Sequence, residues 1–141
     1  MARLLTVDRV AMLRHVGIFA ATPGRVLAGL AGALTEEYFT AGEEIIRRGT
    51  TEDWLHIVSS GTVEILREDG RIRAEAPVVV GDLAVLDPQP RSATVVALTD
   101  VTALRLSKAD FDEALESRPE IARGVILALV ERLREKREPQ P

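Results

Sequence analysis

The chain has 141 residues, 46% hydrophobic and 28% charged, which fits a single compact domain with a substantial core. A formal net charge of −4 argues against a nucleic-acid partner, which usually meets a basic face. The absence of cysteine excludes disulfides and thiolate metal sites.

The N-terminal stretch "MARLLTVDRVAMLRHVGIFA" is interrupted by Asp8, Arg9, Arg14 and His15 and so makes no signal-peptide core. The longest apolar run, "GVILALV" at 124–130, falls far short of the ~18 residues needed to cross a bilayer, so no membrane insertion is expected. A cytoplasmic protein is the expectation.

Val10, Leu13 and Val16 recur near helical spacing. A second helix is predicted in "ATPGRVLAGLAGAL", with Thr22 as N-cap, Pro23 at the first helical position and Val26, Leu27, Leu30 and Leu34 as the apolar stripe. From about residue 35 the period changes to two. Eight short stretches follow: "EEYFT", "EEIIRR", "WLHIVS", "TVEILRE", "RIRAEA", "PVVV", "ATVVAL" and "VTALRLS". Turn signals separate them at Ala41-Gly42, Gly49-Thr50, Ser60-Gly61 and Asp69-Gly70. Such a series predicts an antiparallel sandwich or roll and disfavours a parallel sheet, since no helix-length segments intervene.

The last third returns to helix. "SKADFDEALES" opens on Ser107 with Asp110 three residues on, a capping-box pattern. Pro119 starts a longer helix running to about Lys136, with a charged tail expected to fray. Residues 125–130 are apolar on every face. Either the N-terminal helices cover this segment, or a second protomer or another domain does.

In "VGDLAVLDPQPRSATV", residues 80–95, Arg91 stands among small and apolar residues, and no acid follows Asp87 until Asp100. Gly81 permits a sharp turn into "DLAVL", read as one helical turn, whose backbone amides would gather into an anion site. A guanidinium facing those amides suits a phosphate, and Asp82 would then accept hydrogen bonds from an attached sugar. The plainer alternative pairs Arg91 with Asp82 or with loop carbonyls.

Other chemistry finds less support. His15 and His56, the only histidines, fall on a helix and an early strand, and His56 is read as a half-buried strand residue. No Gly-x-Ser-x-Gly elbow or Walker-type loop occurs, so an enzyme is not expected. Trp54 is assigned to packing or an interface. Glu36-Glu37, Glu43-Glu44, Arg47 and Arg48 read as solvated charge.

Together "GTTEDWLHIVSSG", "VGDLAVLDPQPRSATV" and the flanking helices resemble the cyclic nucleotide-binding domain family, which includes protein kinase A regulatory subunits, the catabolite activator protein and cyclic-nucleotide-gated channels. Gly49 and Gly61 match the glycines bounding its thirteen-residue strand segment. The 81–94 segment matches its phosphate-binding cassette, Gly-Glu-Leu-Ala followed by Pro-Arg-Ala-Ala-Thr.

The resemblance spans roughly residues 15 to 135. It implies an α+β fold: an eight-stranded antiparallel β-roll over 35–106, N-terminal helices over 1–34, and C-terminal helices over 107–137, the long one able to close over the ligand. It also implies that amides near Gly81, Leu83 and Ala84 face a cyclic phosphate, that Arg91 pairs with its exocyclic oxygens, and that Ser92 and Ala93 add a hydroxyl or amide contact. Val79, Val80, Leu83 and Val95 would be core and wall.

The chain departs from the pattern at Asp82, where the family has glutamate, at Glu52, where glycine is common, and at His56, where an aromatic is common. The implied partner is cyclic AMP or cyclic GMP, with no other cofactor. A homodimer through the long helix, or a larger parent protein, is the further expectation. No DNA-binding helix-turn-helix follows the long helix, so a complete transcription factor is not expected.

Overall fold

A computed structural model describes residues 4–137. Two helices, α1 (Thr6–Leu13) and α2 (Gly24–Ala31), flank a 3-10 turn at Gly17–Phe19 and lead into eight strands. These are β1 (Thr35–Phe39), β2 (Glu44–Ile46), β3 (Trp54–Ser60), β4 (Thr62–Arg67), β5 (Gly70–Glu75), β6 (Val78–Val80), β7 (Thr94–Ala97) and β8 (Val101–Ser107). A 3-10 turn at Asp82–Val85 lies between β6 and β7, and α3 (Lys108–Ser117) and α4 (Pro119–Arg137) end the described chain. The strands form two four-stranded antiparallel sheets in the orders β1-β8-β3-β6 and β2-β7-β4-β5, the expected roll.

Alternation divides the core in two. On β3 and β8, Leu55, Ile57, Leu104 and Leu106 face outward and pack with Leu13, Phe19, Leu27, Leu30, Phe111 and Ile121 of the helical layer. Their neighbours Val58, Val101 and Ala103 face inward against Ile46, Val63, Val95 and Ala97 from the other strands. β3 is thus covered on both faces, which is why "LHIV" reads as a continuous buried run.

The helix ends follow local chemistry, with one correction. Ser107 caps α3, its hydroxyl accepting the Asp110 amide at 3.1 Å. Thr22 does not cap α2: Pro23 holds the N-cap position, and its carbonyl accepts the Val26 and Leu27 amides. Thr22 is instead 3% exposed, its hydroxyl set where α4 comes closest, and a Cβ at Gly124 would lie 2.1 Å from that oxygen. Close crossing against α4 has taken the threonine away from the cap.

The acidic residues of β1 are also reassigned. Glu36 accepts the Leu4 amide at 3.0 Å and lies 3.6 Å from Arg9. Glu37 faces into the roll, 3.2 Å from Nδ1 of His56 and 3.6 Å from Arg105. His56 is not half-buried but 3% exposed, because its strand position is in phase with Val58 on the inner face. Arg105 also lies over the Trp54 ring, 5.0 Å from its centre.

On α4, Ile121, Val125 and Ala128 are buried, whereas Ile126, Leu127, Val130 and Leu133 are exposed. The domain's own helices therefore cover one side of this apolar segment and leave the other in solvent. The expected fraying of the tail concerns in part residues 138–141, outside the described residues. Among the described residues, no helix is long and apolar enough to cross a membrane, and no group of acids and histidines is placed to hold a metal.

Candidate functional site

Strand β6 ends at Val80, and Gly81 turns the chain with φ 75 and ψ 37 into the Asp82–Val85 turn. Two constraints demand glycine here. The left-handed conformation penalises a side chain. A Cβ would also lie 1.8 Å from Nη1 of Arg91, so the guanidinium packs directly on the Gly81 backbone.

Arg91 itself is anchored from the loop between β2 and β3. Its amide donates to the Thr50 carbonyl at 2.8 Å, its carbonyl accepts the Gly49 amide at 2.9 Å, and Thr51 bridges Pro90. These bonds carry the side chain inward, where Nη2 donates to the Trp54 carbonyl. Arg91 is 8% exposed, and burial pulls its guanidinium below the usual value, with Glu52 opposing the shift.

A cavity of about 320 Å³ lies against this turn. All seven residues singled out from the sequence, Gly81, Asp82, Leu83, Ala84, Arg91, Ser92 and Ala93, line it, together with Ile46, Val80 and Pro90 among others. Leu83 is 47% exposed, so it belongs to the cavity rim rather than to the core, whereas Val95 is fully buried. The Ala84 amide donates to the Gly81 carbonyl at 3.0 Å. It is spent within the turn, while the amides ahead of it have no acceptor there by the geometry of a helix start.

Neither Asp82 nor Arg91 pairs with the other. Asp82 Oδ2 instead accepts from Nη2 of Arg132, on α4, at 2.5 Å. Arg132 reaches it across Gly17, where a Cβ would lie 2.3 Å from the same nitrogen. The turn after β6, the 3-10 turn after α1 and the long helix therefore meet at one guanidinium.

Residues 36–118 match the family described as Cyclic nucleotide-binding domain. The chain belongs to that family. Within it, the chain is 30% identical over 129 residues to a CRP-like cAMP-activated global transcriptional regulator of Mycobacterium tuberculosis, covering 87% of this chain and 58% of the relative. It is 34% identical over 112 residues to a cAMP-dependent protein kinase regulatory subunit of Aspergillus fumigatus, covering 74% of this chain and 26% of that one. Its fold is similar to the N-terminal domain of a transcriptional regulator from Streptomyces coelicolor A3(2), with TM-score 0.79, 32% identity and coverage of 89% of this chain and 92% of that chain. The chain thus spans just over half of the first curated relative and about a quarter of the second.

Two charged residues beside the 81–94 segment had no role in the sequence reading. Glu52 comes within 3.5 Å of Nε of Arg91, and Arg132 holds Asp82. The unusual acid at 52 was visible in the sequence, but its distance from Arg91 was not. Nothing in the periodicity of α4 singles out Arg132 from its charged neighbours.

Proposed function

We propose that this domain binds a cyclic nucleotide, cyclic AMP or cyclic GMP, at the 81–94 cassette and passes the event to the long helix. The observation that carries the proposal is the placement of a buried, charged Arg91 on the left-handed Gly81 beside a cavity of about 320 Å³. A fixed guanidinium and the leading amides of a short helical turn suit a monoanionic phosphate diester. Gly81, Asp82 and Leu83 would offer backbone amides, Arg91 its charge, and Ser92 and Ala93 a hydroxyl or amide.

The Asp82–Arg132 bond supplies the output. If the ligand's sugar takes the Asp82 carboxylate, Arg132 loses its partner, and α4 changes its resting position. The free energy available for that change is the ligand's difference in affinity for the two helix positions. The parent protein's output would then depend on what α4 is attached to.

Calorimetric titration with cyclic AMP and cyclic GMP tests the binding. Ligand at a hundredfold its dissociation constant should raise stability by about 2.7 kcal/mol. Arg91→Ala should weaken binding by roughly 1.5–3 kcal/mol, about ten- to a hundredfold. Identical titrations of the two proteins would remove the proposal.

The exposed row Ile126, Leu127, Val130 and Leu133 favours a second reading, in which α4 pairs with a second copy of the chain. Light scattering that finds only monomer at high concentration would exclude it.

A further inference from the structure

Glu52 stands on the loop between β2 and β3, and its Oε1 lies 3.5 Å from Nε of Arg91. It is not among the residues lining the cavity, so it meets the guanidinium from behind. Both atoms are buried, and neither has a hydrogen-bond partner. The pair is therefore a contact of charges without a directed bond.

Two effects of Glu52 on an anion in the cavity have opposite signs. As a support it would hold Arg91 in place and favour binding. As a charge it cancels part of the field that Arg91 presents, and it repels the anion. Three hydrogen bonds already position Arg91: amide to Thr50, carbonyl from Gly49, and Nη2 to Trp54. A contact without a hydrogen bond adds little to that support, whereas a full negative charge behind the guanidinium acts through a poorly screened interior. The charge effect wins.

We propose that Glu52 is an internal counter-anion that sets the affinity of the cassette, so that an anionic ligand binds Arg91 only in competition with it. The proposal rests on the nucleotide-binding reading of the same cavity. It assigns Glu52 an affinity-determining role although the ligand never touches it.

Calorimetric titration of the full chain with cyclic AMP and with cyclic GMP decides the sign. Glu52→Gln preserves size and removes the charge, and it should bind whichever nucleotide the wild type binds roughly tenfold more tightly. Glu52→Asp keeps the charge and should stay near wild type. Adding Arg91→Ala to Glu52→Gln should abolish the gain.

Equal or weaker binding by Glu52→Gln overturns the proposal while leaving nucleotide binding intact, as does a gain that survives Arg91→Ala. No heat in any protein with either nucleotide overturns the proposal and the nucleotide reading together. A measurement on the wild type needs no variant: the Arg91 Nε–H resonance should move on saturation with nucleotide as Glu52 gives way. A resonance that stays in place overturns the competition.

Discussion

The inner face of the first sheet holds Glu37, His56 and Arg105 in contact with one another, while the cassette holds Arg91 and Asp82 beside a cavity of about 320 Å³. Both regions bring charge into the roll, the sheet by strand alternation and the cassette by a turn and a hydrogen-bonded loop. In the sheet the charges meet across adjacent strands β1, β8 and β3, whose register is set by backbone hydrogen bonds. In the cassette, Arg91 and Asp82 find partners on distant segments, Glu52 and Arg132. A pair held by a ladder has little freedom to part, whereas one made between a loop or helix and a turn can part when those elements move. The first arrangement favours stability, and on the proposed function the second lets partners exchange.

The largest expected effect tests the stability half of that contrast. His56→Ala should cost about 3 kcal/mol in urea denaturation, since it opens a cavity and strips Glu37 of its nearest neighbour. The nucleotide-induced gain in stability should survive in this variant. Arg91→Ala should do the reverse, with a smaller loss of stability and loss of most of the ligand response. Equal behaviour of the two variants would erase the distinction.

Acid sharpens the same contrast. His56 beside Glu37, with a smaller contribution from Arg105, holds its carboxyl below the usual value of 4.5 against the opposing effect of burial. A carboxyl depressed in the folded state stabilises the fold above its unfolded pKa, and that contribution is lost as pH falls through the folded value. Thermal melts should therefore lose stability below about pH 4.5, and Glu37→Gln should flatten that part of the curve.

The smallest effect on stability belongs to Arg132→Ala. Its pair with Asp82 is partly solvated, with Arg132 37% exposed, so the loss should stay within about 1 kcal/mol. Its effect should appear in hydrogen exchange, as faster amide exchange in the second half of α4 without nucleotide. Unchanged exchange would mean that the pair does not hold the helix.

Much of this fold is legible in the sequence. The glycines at 49, 61 and 70 mark real turns, all with positive φ, and the eight short stretches became eight strands in the same order. Ser107 and Pro119 start their helices because capping and a fixed φ act within a few residues. The cavity-lining set was legible too, since the turn after Gly81 and the loop to Arg91 lie close together in the chain.

The errors share a cause. Thr22 is a good cap by type, but contact with α4 claimed it. Glu37 looked solvated until its register beside Ala103 turned it inward. His56 shares the phase of Val58, a signal present in the alternation, yet which face would be covered depended on the second sheet.

The sequence by itself determined the order of elements, their turns, the Ser107 cap and the residues gathered at the cassette, because those follow from local φ/ψ preferences and short-range periodicity. The tertiary structure alone decided which charges meet: Glu37 with His56, Glu52 with Arg91, and Asp82 with Arg132. Such pairs lie 19 to 50 residues apart, and Coulomb attraction depends on distance in space rather than along the chain.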